Sequence, residues 1–482
     1  MNLLKIIMNN KEFIERKTKI LATLGPSSNT IKKIIELSNA GANVFRLNCS
    51  HLNEKDLEEY IKKIRRAEKI IKKPIGILVD LQGPKLRIGE VSKNQNLLKK
   101  DDIFILDNSK EIGNNKRVYL SNKKIFNSVK KGHLILIDDG NIHIKVTSIK
   151  NDIIRTRVVQ GGILKSNKGL NLPHSDIKTS ALSTSDKKFV KVASNLDVDW
   201  IALSFVQKPS DIRELRKICN NKISIMAKIE KPSALKYIKK ICEIADGIMI
   251  ARGDLGVELP IETIPGWQKK IIRASRLKGK PVVVSTQMLE SMTSSLTPTR
   301  AEVSDVANAV FEGADAIMLS AESASGQYPV ETVKMMHKIA FSTENEKNYN
   351  SIIANQIEQT PNTTPDAIAT AAKTLADELS SPIIVCYTES GSTGIKVSRV
   401  RPSQTIITIT PVIETARKLS LAWGVLCFLQ KDEKNLEKMI ESTKITVKKS
   451  GLASSGDKVV ITAGLPLKVQ GTTNLIRVTS IK

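Results

Sequence analysis

Eight short apolar runs, separated along the chain by helical patterns, constrain this sequence more than any other feature. They are Lys19–Leu24, Val44–Leu47, Ile75–Val79, Trp200–Phe205, Ile223–Ala227, Gly247–Ala251, Pro281–Val284 and Ala316–Leu319. Runs rich in Ile, Val, Leu and Ala read as parallel strands buried on both faces. Eight of them alternating with helices predict a (β/α)8 TIM barrel, whose functional groups gather where the strands end. The ends here carry Arg46 and Asn48, Asp80, Lys228 and Glu230, Arg252 to Asp254, Thr286, and Ser320 with Glu322. On a barrel these scattered polar residues converge on one site.

The alternation breaks at Gly83-Pro84 and resumes after Asn171-Leu172-Pro173. Between them Ile103–Leu106, Arg117–Leu120, Leu134–Ile137, Ile142–Val146 and Ile153–Val159 are strand-like, and Asp138-Asp139-Gly140-Asn141 signals a hairpin. This is an all-β insertion between the third and fourth barrel strands, placed to act as a lid. Helices are expected over Thr297–Gly313 and from Tyr328-Pro329 to about Thr343. A polar connection, Glu344–Thr364 with Pro361 and Pro365 at its end, leads into a fresh α/β pattern. The expected division is 1–83 and 175–345 for the barrel, 84–174 for the lid and 346–482 for a C-terminal α/β domain.

With 482 residues the chain has length for two or three domains. Its formal net charge of +26 raises the question of a nucleic-acid or acidic-membrane partner. The excess is mostly Lys scattered along the chain, and only 4% of residues are aromatic, so neither clustering nor interleaved aromatics support such a partner. No nucleic acid and no membrane is expected; a positive field also suits an anionic substrate. Dense stretches such as Ile61–Lys73 read as solvated helix faces. Cys49, Cys219, Cys242, Cys386 and Cys427 form neither a disulfide framework nor a CxxC metal pattern, which favours a reducing, cytoplasmic setting. The start, Met1 to Met8, is too short for a signal sequence, and Met8 is a second candidate start.

Lys228 and Glu230 lie two apart on a strand, so their side chains leave the same face. One supplies a fixed cation, the other a hard oxygen ligand for Mg²⁺, and Asp254 at the next strand end offers a second carboxylate. The alternative for the Lys228–Glu230 pair is a solvated strand-end ion pair. Ala251–Glu258 reads as a glycine-containing turn opening toward a helix, whose N–H groups approach an anion closely, or else as an ordinary βα loop. Arg46, Asn48 and Ser50 alternate, so Arg46 could clamp a phosphate while Asn48, Ser50 and Asp80 offer oxygens. Arg87 would reach from the lid hinge, and Thr286 is a hydroxyl able to orient a reacting group or simply to close a strand-end hydrogen bond. His51, His133, His143, His174 and His337 show no metal spacing, and Met288, Met292, Met335 and Met336 look like core filling.

Taken together these stretches resemble the pyruvate kinase family. The resemblance rests on Phe45 through His51, Asp80 with Gly83-Pro84 and Arg87, Ala227-Lys228-Ile229-Glu230, Asp246 through Glu258, Ser285 through Met292, and above all Pro298-Thr299-Arg300-Ala301-Glu302 through Ala309. It implies phosphoryl transfer from phosphoenolpyruvate to ADP, giving pyruvate and ATP, with Mg²⁺ as cofactor. By matching positions, Lys228 would stabilise the transferring phosphoryl group and Glu230 with Asp254 would hold Mg²⁺. Gly253, Asp254 and Thr286 would hold the substrate carboxylate, Arg46 and Arg87 would neutralise phosphate, and Asn48, Cys49, Ser50 and His51 would line the nucleotide side. The resemblance also implies a homotetramer.

Three departures from the family pattern carry expectations of their own. Many members read Asp-Thr-Lys-Gly-Pro-Glu where this chain has Asp80-Leu81-Gln82-Gly83-Pro84-Lys85. In the Glu type a K⁺ sits against groups matching Asn48, Ser50, Asp80 and a backbone carbonyl, here that of Leu81. Lys85 would place a tethered ammonium there, so K⁺ is not expected to be required. A lysine common before an aspartate is Ser185, before Asp186, which puts one ATP-phosphate contact in doubt. The loop Thr388-Glu389-Ser390-Gly391-Ser392-Thr393-Gly394 resembles the family's effector pocket, but Glu389 would repel a second phosphate. A sugar monophosphate or AMP is therefore expected as effector rather than fructose bisphosphate. The competing readings are another Mg²⁺-dependent barrel acting on phosphoenolpyruvate or pyruvate, of lyase or aldolase type, a basic nucleic-acid-binding protein, and an inactive paralogue.

Overall fold

A computed structural model of the chain describes residues 16–92, 96–173, 180–356, 363–433, 435–466 and 472–481. Met1, Met8, His174 and Pro361 lie outside the described residues. Eight parallel strands close a barrel: β1 (Lys19–Thr23), β2 (Val44–Asn48), β3 (Gly76–Asp80), β4 (Trp200–Leu203), β5 (Ser224–Ile229), β6 (Gly247–Ala251), β7 (Val282–Ser285) and β8 (Ala316–Leu319). Each pairs with its neighbour in sequence, β8 returns to β1, and β3 pairs with β4 across the long insertion.

Side-chain alternation sorts every strand into two sets. Leu21, Val44, Leu78, Trp200, Ala202, Met226, Met249, Val283, Ala316 and Met318 cluster together inside the barrel. Ile20, Phe45, Leu47, Ile77, Val79, Ile201, Ala227, Ile248, Val284 and Ile317 pack outward against the helices. Continuing the inward set toward the strand ends gives Thr23, Arg46, Asp80, Ser204, Lys228 and Glu230. The outward set continues to Cys49, which is buried in the outer core.

The insertion forms a six-stranded sheet in the order Leu170–Asn171, Leu134–Ile137, Ile142–Lys150, Ile153–Gln160, Ile103–Asp107, Arg117–Tyr119, with Asn96–Leu98 pairing Gly162–Leu164 beside it. Its own core includes Phe104, Leu106, Ile135, Ile144 and Val158. The C-terminal region carries a five-stranded sheet in the order Val425–Leu429, Thr405–Thr410, Ile383–Tyr387, Lys458–Gly464, Thr473–Ser480, antiparallel only at the last pair. The strand Val425–Leu429 and the helix Leu436–Ser450 were not expected from the sequence. Both are short on contrast: the strand is an apolar run directly after Trp423-Gly424, and the helix buries Ser442, Thr443 and Ser450 beside Met439 and Val447.

The C-terminal domain docks on the barrel's base, where strands begin. Leu421 joins the barrel-interior cluster from below. The approach is close enough that a Cβ on Gly76 would fall 2.6 Å from Ser420 Oγ. Here the reading of Ile61–Lys73 as a solvated face is corrected. In the helix Glu54–Ile71, Arg65 and Glu68 are buried, Arg65 donating to Ile75 O at 2.7 Å and to Asp199 Oδ2 at 2.7 Å. Glu68 in turn accepts from Ile75 N at 2.9 Å and from Arg417 of the C-terminal domain at 2.9 and 2.6 Å. Removing one partner of a buried charge pair leaves the other uncompensated, which costs about 3–5 kcal/mol. Glu68→Ala should lower unfolding stability in urea by about that much, and a loss below about 1 kcal/mol would mean the pair does not hold the docking.

Candidate active site

The carboxyl ends of β2, β3, β4 and β5 bring five polar side chains, Arg46, Asp80, Ser204, Lys228 and Glu230, into one buried cluster. Lys228 Nζ lies 2.9 Å from Glu230 Oε1 and 3.1 Å from Asp80 Oδ1, and donates to Ser204 Oγ at 2.8 Å. Asp80 Oδ2 takes Arg46 Nε at 2.7 Å, and Arg46 Nη1 donates to Thr23 Oγ1 at 3.1 Å. Ser204 Oγ donates to Leu81 O at 2.7 Å, and Phe205 N donates to Glu230 Oε2 at 2.7 Å. Asp80 and Glu230 are each 1% exposed and Lys228 9%. At that burial charges persist only when paired.

Burial alone would discharge the Lys228 ammonium, but Asp80 and Glu230 outweigh it and hold its pKa above the ordinary lysine value. Burial likewise opposes the Asp80 carboxylate, and Lys228 with Arg46 overcomes it, so Asp80 stays below its usual range. Glu230 goes the other way: burial, reinforced by the charge of Asp254, pushes it up despite Lys228. Asp80, Glu230 and Asp254 thus face Arg46 and Lys228 with carboxylate in excess, and among the described residues the half-buried Asp254 has no hydrogen-bond or ion-pair partner of its own. An open carboxylate oxygen beside a crowded one fits a hard divalent cation.

On the adjacent strand ends, Thr286 sits at φ +73° and Gln287 at +52°. A left-handed β-branched residue is a conformation that its surroundings must impose. Arg252 imposes it by donating to Thr286 O at 2.8 Å while gripping Asp305 at 2.6 and 2.7 Å. Thr286 Oγ1 accepts from Gly253 N at 2.7 Å and donates to Ser285 O at 2.6 Å. The stretch Ala251–Glu258, expected as a glycine-containing turn opening toward a helix, is helical from Arg252 to Glu258, and Gly253 N in its first turn donates to Thr286 Oγ1.

Other expected site residues lie apart from this cluster. β2 ends at Asn48, so the alternation does not carry Ser50 inward; Ser50 and His51 are exposed in the following turn, with Ser50 N donating to Asn48 Oδ1 at 3.2 Å. The Cys49 side chain belongs to the outward set, so any contact it makes with a nucleotide is limited to its backbone. Arg87 is exposed on the lid and donates to Asn167 O at 3.0 Å. Lys85 is 3.6 Å from Asp139 Oδ1 on the hairpin and is not paired with Asp80, whose oxygens are taken by Arg46 and Lys228. Ser185 is exposed, while Asp186 is buried, caps its helix through Ser183 and accepts from Gly83 N at 3.2 Å at the lid hinge. Glu322 is buried, with Ser320 N and Leu289 N donating to it at 2.6 and 3.3 Å. Ser204, Thr23 and Asp305 escaped the sequence reading, although Ser204 sits on the inward parity of its own strand.

Comparison with known proteins decides the lineage. The family described as Pyruvate kinase, barrel domain, matches residues 15–333, and the one described as Pyruvate kinase, alpha/beta domain, matches residues 366–479. The chain belongs to the pyruvate kinase family. A pyruvate kinase of Methylorubrum extorquens is 46% identical over 464 residues, covering 96% of this chain and 97% of that one. One of Thermotoga maritima is 40% identical over 471 residues, covering 97% and 100%. The crystal structure of a pyruvate kinase from Cryptosporidium parvum superposes with a TM-score of 0.91 at 34% identity, covering 98% of each chain. The chain is therefore a phosphotransferase with pyruvate kinase function, and phosphoenolpyruvate, ADP, ATP and pyruvate are its substrates and products. Pyruvate kinases depend on metal, and this family membership sets aside the lyase and nucleic-acid readings. Among the described residues no helix is long and apolar enough to cross a membrane.

A neutral donor or acceptor bonded to a charged group is worth about 1.5–3 kcal/mol. Ser204→Ala removes such a bond from Lys228 and frees Leu81 O as well. It should lower kcat by about 10- to 100-fold with the KM for ADP nearly unchanged, and a loss below about threefold would show that Ser204 does not hold Lys228.

Proposed function

We propose that Lys228 is the fixed cation of the phosphoryl transfer, and that its pinning by Asp80, Glu230 and Ser204 is the observation that carries this reading. In the forward direction the bond between phosphorus and the enol oxygen of phosphoenolpyruvate breaks as a new one forms to a β-phosphate oxygen of ADP. The enolate left behind takes a proton at its methylene carbon and becomes pyruvate. Most of the work is positioning and neutralising charge. Lys228 meets the phosphoryl group in flight, and Arg46, already oriented by Asp80 and Thr23, neutralises phosphate beside it. A substrate carboxylate that takes the Gly253 N–H replaces Thr286 Oγ1 there, which leaves that hydroxyl beside the enolate carbon.

Glu230 and Asp254 would hold Mg²⁺. When bound it supplies charge neutralisation between the phosphate and the carboxylate or enolate oxygens. Asn48, Ser50 and His51, with Cys49 through its backbone, would line the nucleotide side, and Arg87 would reach the phosphates from the lid. The lid excludes water, so that ADP receives the phosphoryl group. The chain would divide into a barrel at 1–83 and 175–345, a lid at 84–174 and a C-terminal domain at 346–482.

The proposal extends to K⁺, which the reaction would not need. The ground is the sequence substitution at Lys85 on the lid hinge; its present partner is Asp139, so the ammonium would act at the cation position of Asn48, Ser50, Asp80 and Leu81 only after exchanging that contact. The effector would be a sugar monophosphate or AMP bound by Thr388, Ser390, Gly391, Ser392 and Thr393. The cleft there is lined by Glu389, Asp432 and Glu433 against Lys431, a balance that disfavours a bisphosphate. A homotetramer in the cytoplasm follows from the family resemblance. The test is pyruvate formation from phosphoenolpyruvate and ADP with Mg²⁺. Wild type should run in sodium or Tris buffer with little response to K⁺, and Lys85→Glu should acquire K⁺ dependence. Strong K⁺ dependence of the wild type would remove the role given to Lys85, and no turnover under either condition would remove the whole reading.

A further inference from the structure

The chain crosses between barrel and lid twice, and each crossing leads to one of the two carboxylates proposed to hold Mg²⁺. The outgoing crossing passes Gly83, at φ +69°, where a Cβ would fall 2.7 Å from Phe205 Cδ2. Phe205 is itself left-handed at φ +54° and donates its N–H to Glu230 Oε2 at 2.7 Å. The returning crossing passes the lid strand Leu170–Asn171, where Asn171 Nδ2 donates to Glu258 Oε1 at 2.8 Å. Glu258 ends the helix Arg252–Glu258, four residues after Asp254 and on the same helix face.

Glu258 is buried, and the mechanism gives it no part. A buried carboxylate keeps its charge only beside a partner. That partner is Lys231, which binds the same oxygen as Asn171 and directly follows Glu230 in the barrel. The lid makes a further contact on the same helix: a Cβ at Gly140 on the hairpin tip would lie 3.8 Å from Val257 Cγ1, within van der Waals range. The lid therefore rests on two successive residues of the helix that carries Asp254. The two bonds to Glu258 are unequal, since Lys231 brings an opposite charge and Asn171 a neutral amide. Lifting the lid would break the bond from Asn171 while Lys231 keeps Glu258 compensated.

We propose that Glu258 is a positioning residue that links the seating of the lid to the orientation of Asp254, with Asn171 as the releasable half of the link. This inference rests on the reading of Glu230 and Asp254 as the metal ligands. With the lid seated, the end of the helix is held from the lid by Asn171 and from the end of β5 by Lys231, which restricts Asp254 one turn earlier. With the lid lifted, Lys231 holds it alone. Such coupling is reciprocal, so a metal ion on Asp254 favours the seated lid by the factor with which the seated lid favours the metal.

The experiment is titration of the full chain with Mn²⁺, standing in for Mg²⁺, followed by electron paramagnetic resonance, with hydrogen exchange of residues 134–150 measured alongside. Asn171→Ala and Asn171→Asp both remove the donor, and Asn171 is not itself a proposed ligand. The second variant keeps the side chain's shape, so it carries the test if Asn171→Ala fails to fold. Mn²⁺ affinity should fall about threefold or more in both, and Mn²⁺ should slow exchange of the hairpin in the wild type but not in the variants. Glu230→Gln is the control for the ligand reading. If it leaves Mn²⁺ affinity unchanged, that reading fails and the coupling falls with it. If Glu230→Gln weakens Mn²⁺ while both Asn171 variants stay within about threefold of wild type, the ligand reading stands and the coupling is overturned.

Discussion

Along each barrel strand consecutive side chains point alternately to the axis and to the surrounding helices, and this alternation decides where every polar group of the site can go. Leu21, Val44, Leu78, Ala202 and Met226 fill the interior. One step further toward the carboxyl ends, the same parity delivers Thr23, Arg46, Asp80, Ser204 and Lys228 to the mouth. A single register slip would turn these charges into the apolar layer between strands and helices. Closure of the barrel therefore fixes the site, and the bonds among its residues tune a placement already made.

Within that placement the electrostatics are demanding. A lysine as buried as Lys228 stays charged only because Asp80 and Glu230 flank it, and Asp80 stays ionised only because Arg46 and Lys228 flank it. Glu230 and Asp254 are left with surplus negative charge. In the proposed mechanism such a cluster would meet phosphate on one side and a hard cation on the other, with little reorganisation needed as charge moves. Arg252 does the equivalent for the neighbouring strand end by clamping Asp305 and the left-handed Thr286.

Periodicity made the eight strands, the β insertion and most of the C-terminal sheet legible, because burial on two faces leaves an unmistakable apolar run. Site residues at strand ends were legible for the same reason. What escaped depended on partners far apart in sequence. Ser204 looks like an incidental hydroxyl until Lys228 and Leu81 stand on either side of it. Arg65 and Glu68 read as helix surface until Asp199 and Arg417 arrive from 134 and 349 positions away. Alternation groups Ser50 with Arg46 and the resemblance sets Cys49 on the nucleotide side, whereas parity sends Cys49 outward and the end of β2 at Asn48 leaves Ser50 in a turn. Lys85 was read against Asp80, but its nearest carboxylate, Asp139, sits on a hairpin that only the folded lid brings close.

The central claim is that Lys228, fixed between Asp80 and Glu230, stabilises the phosphoryl group as it moves. The most direct measurement is the rate of pyruvate formation by Lys228→Met, with its fold checked by thermal unfolding and its exchange of pyruvate methyl protons with solvent followed separately. The account predicts a loss of about 10³-fold or more in phosphoryl transfer, with proton exchange at the Thr286 side retained to a far greater degree. Phosphoryl transfer within about tenfold of wild type in a folded Lys228→Met variant would contradict it.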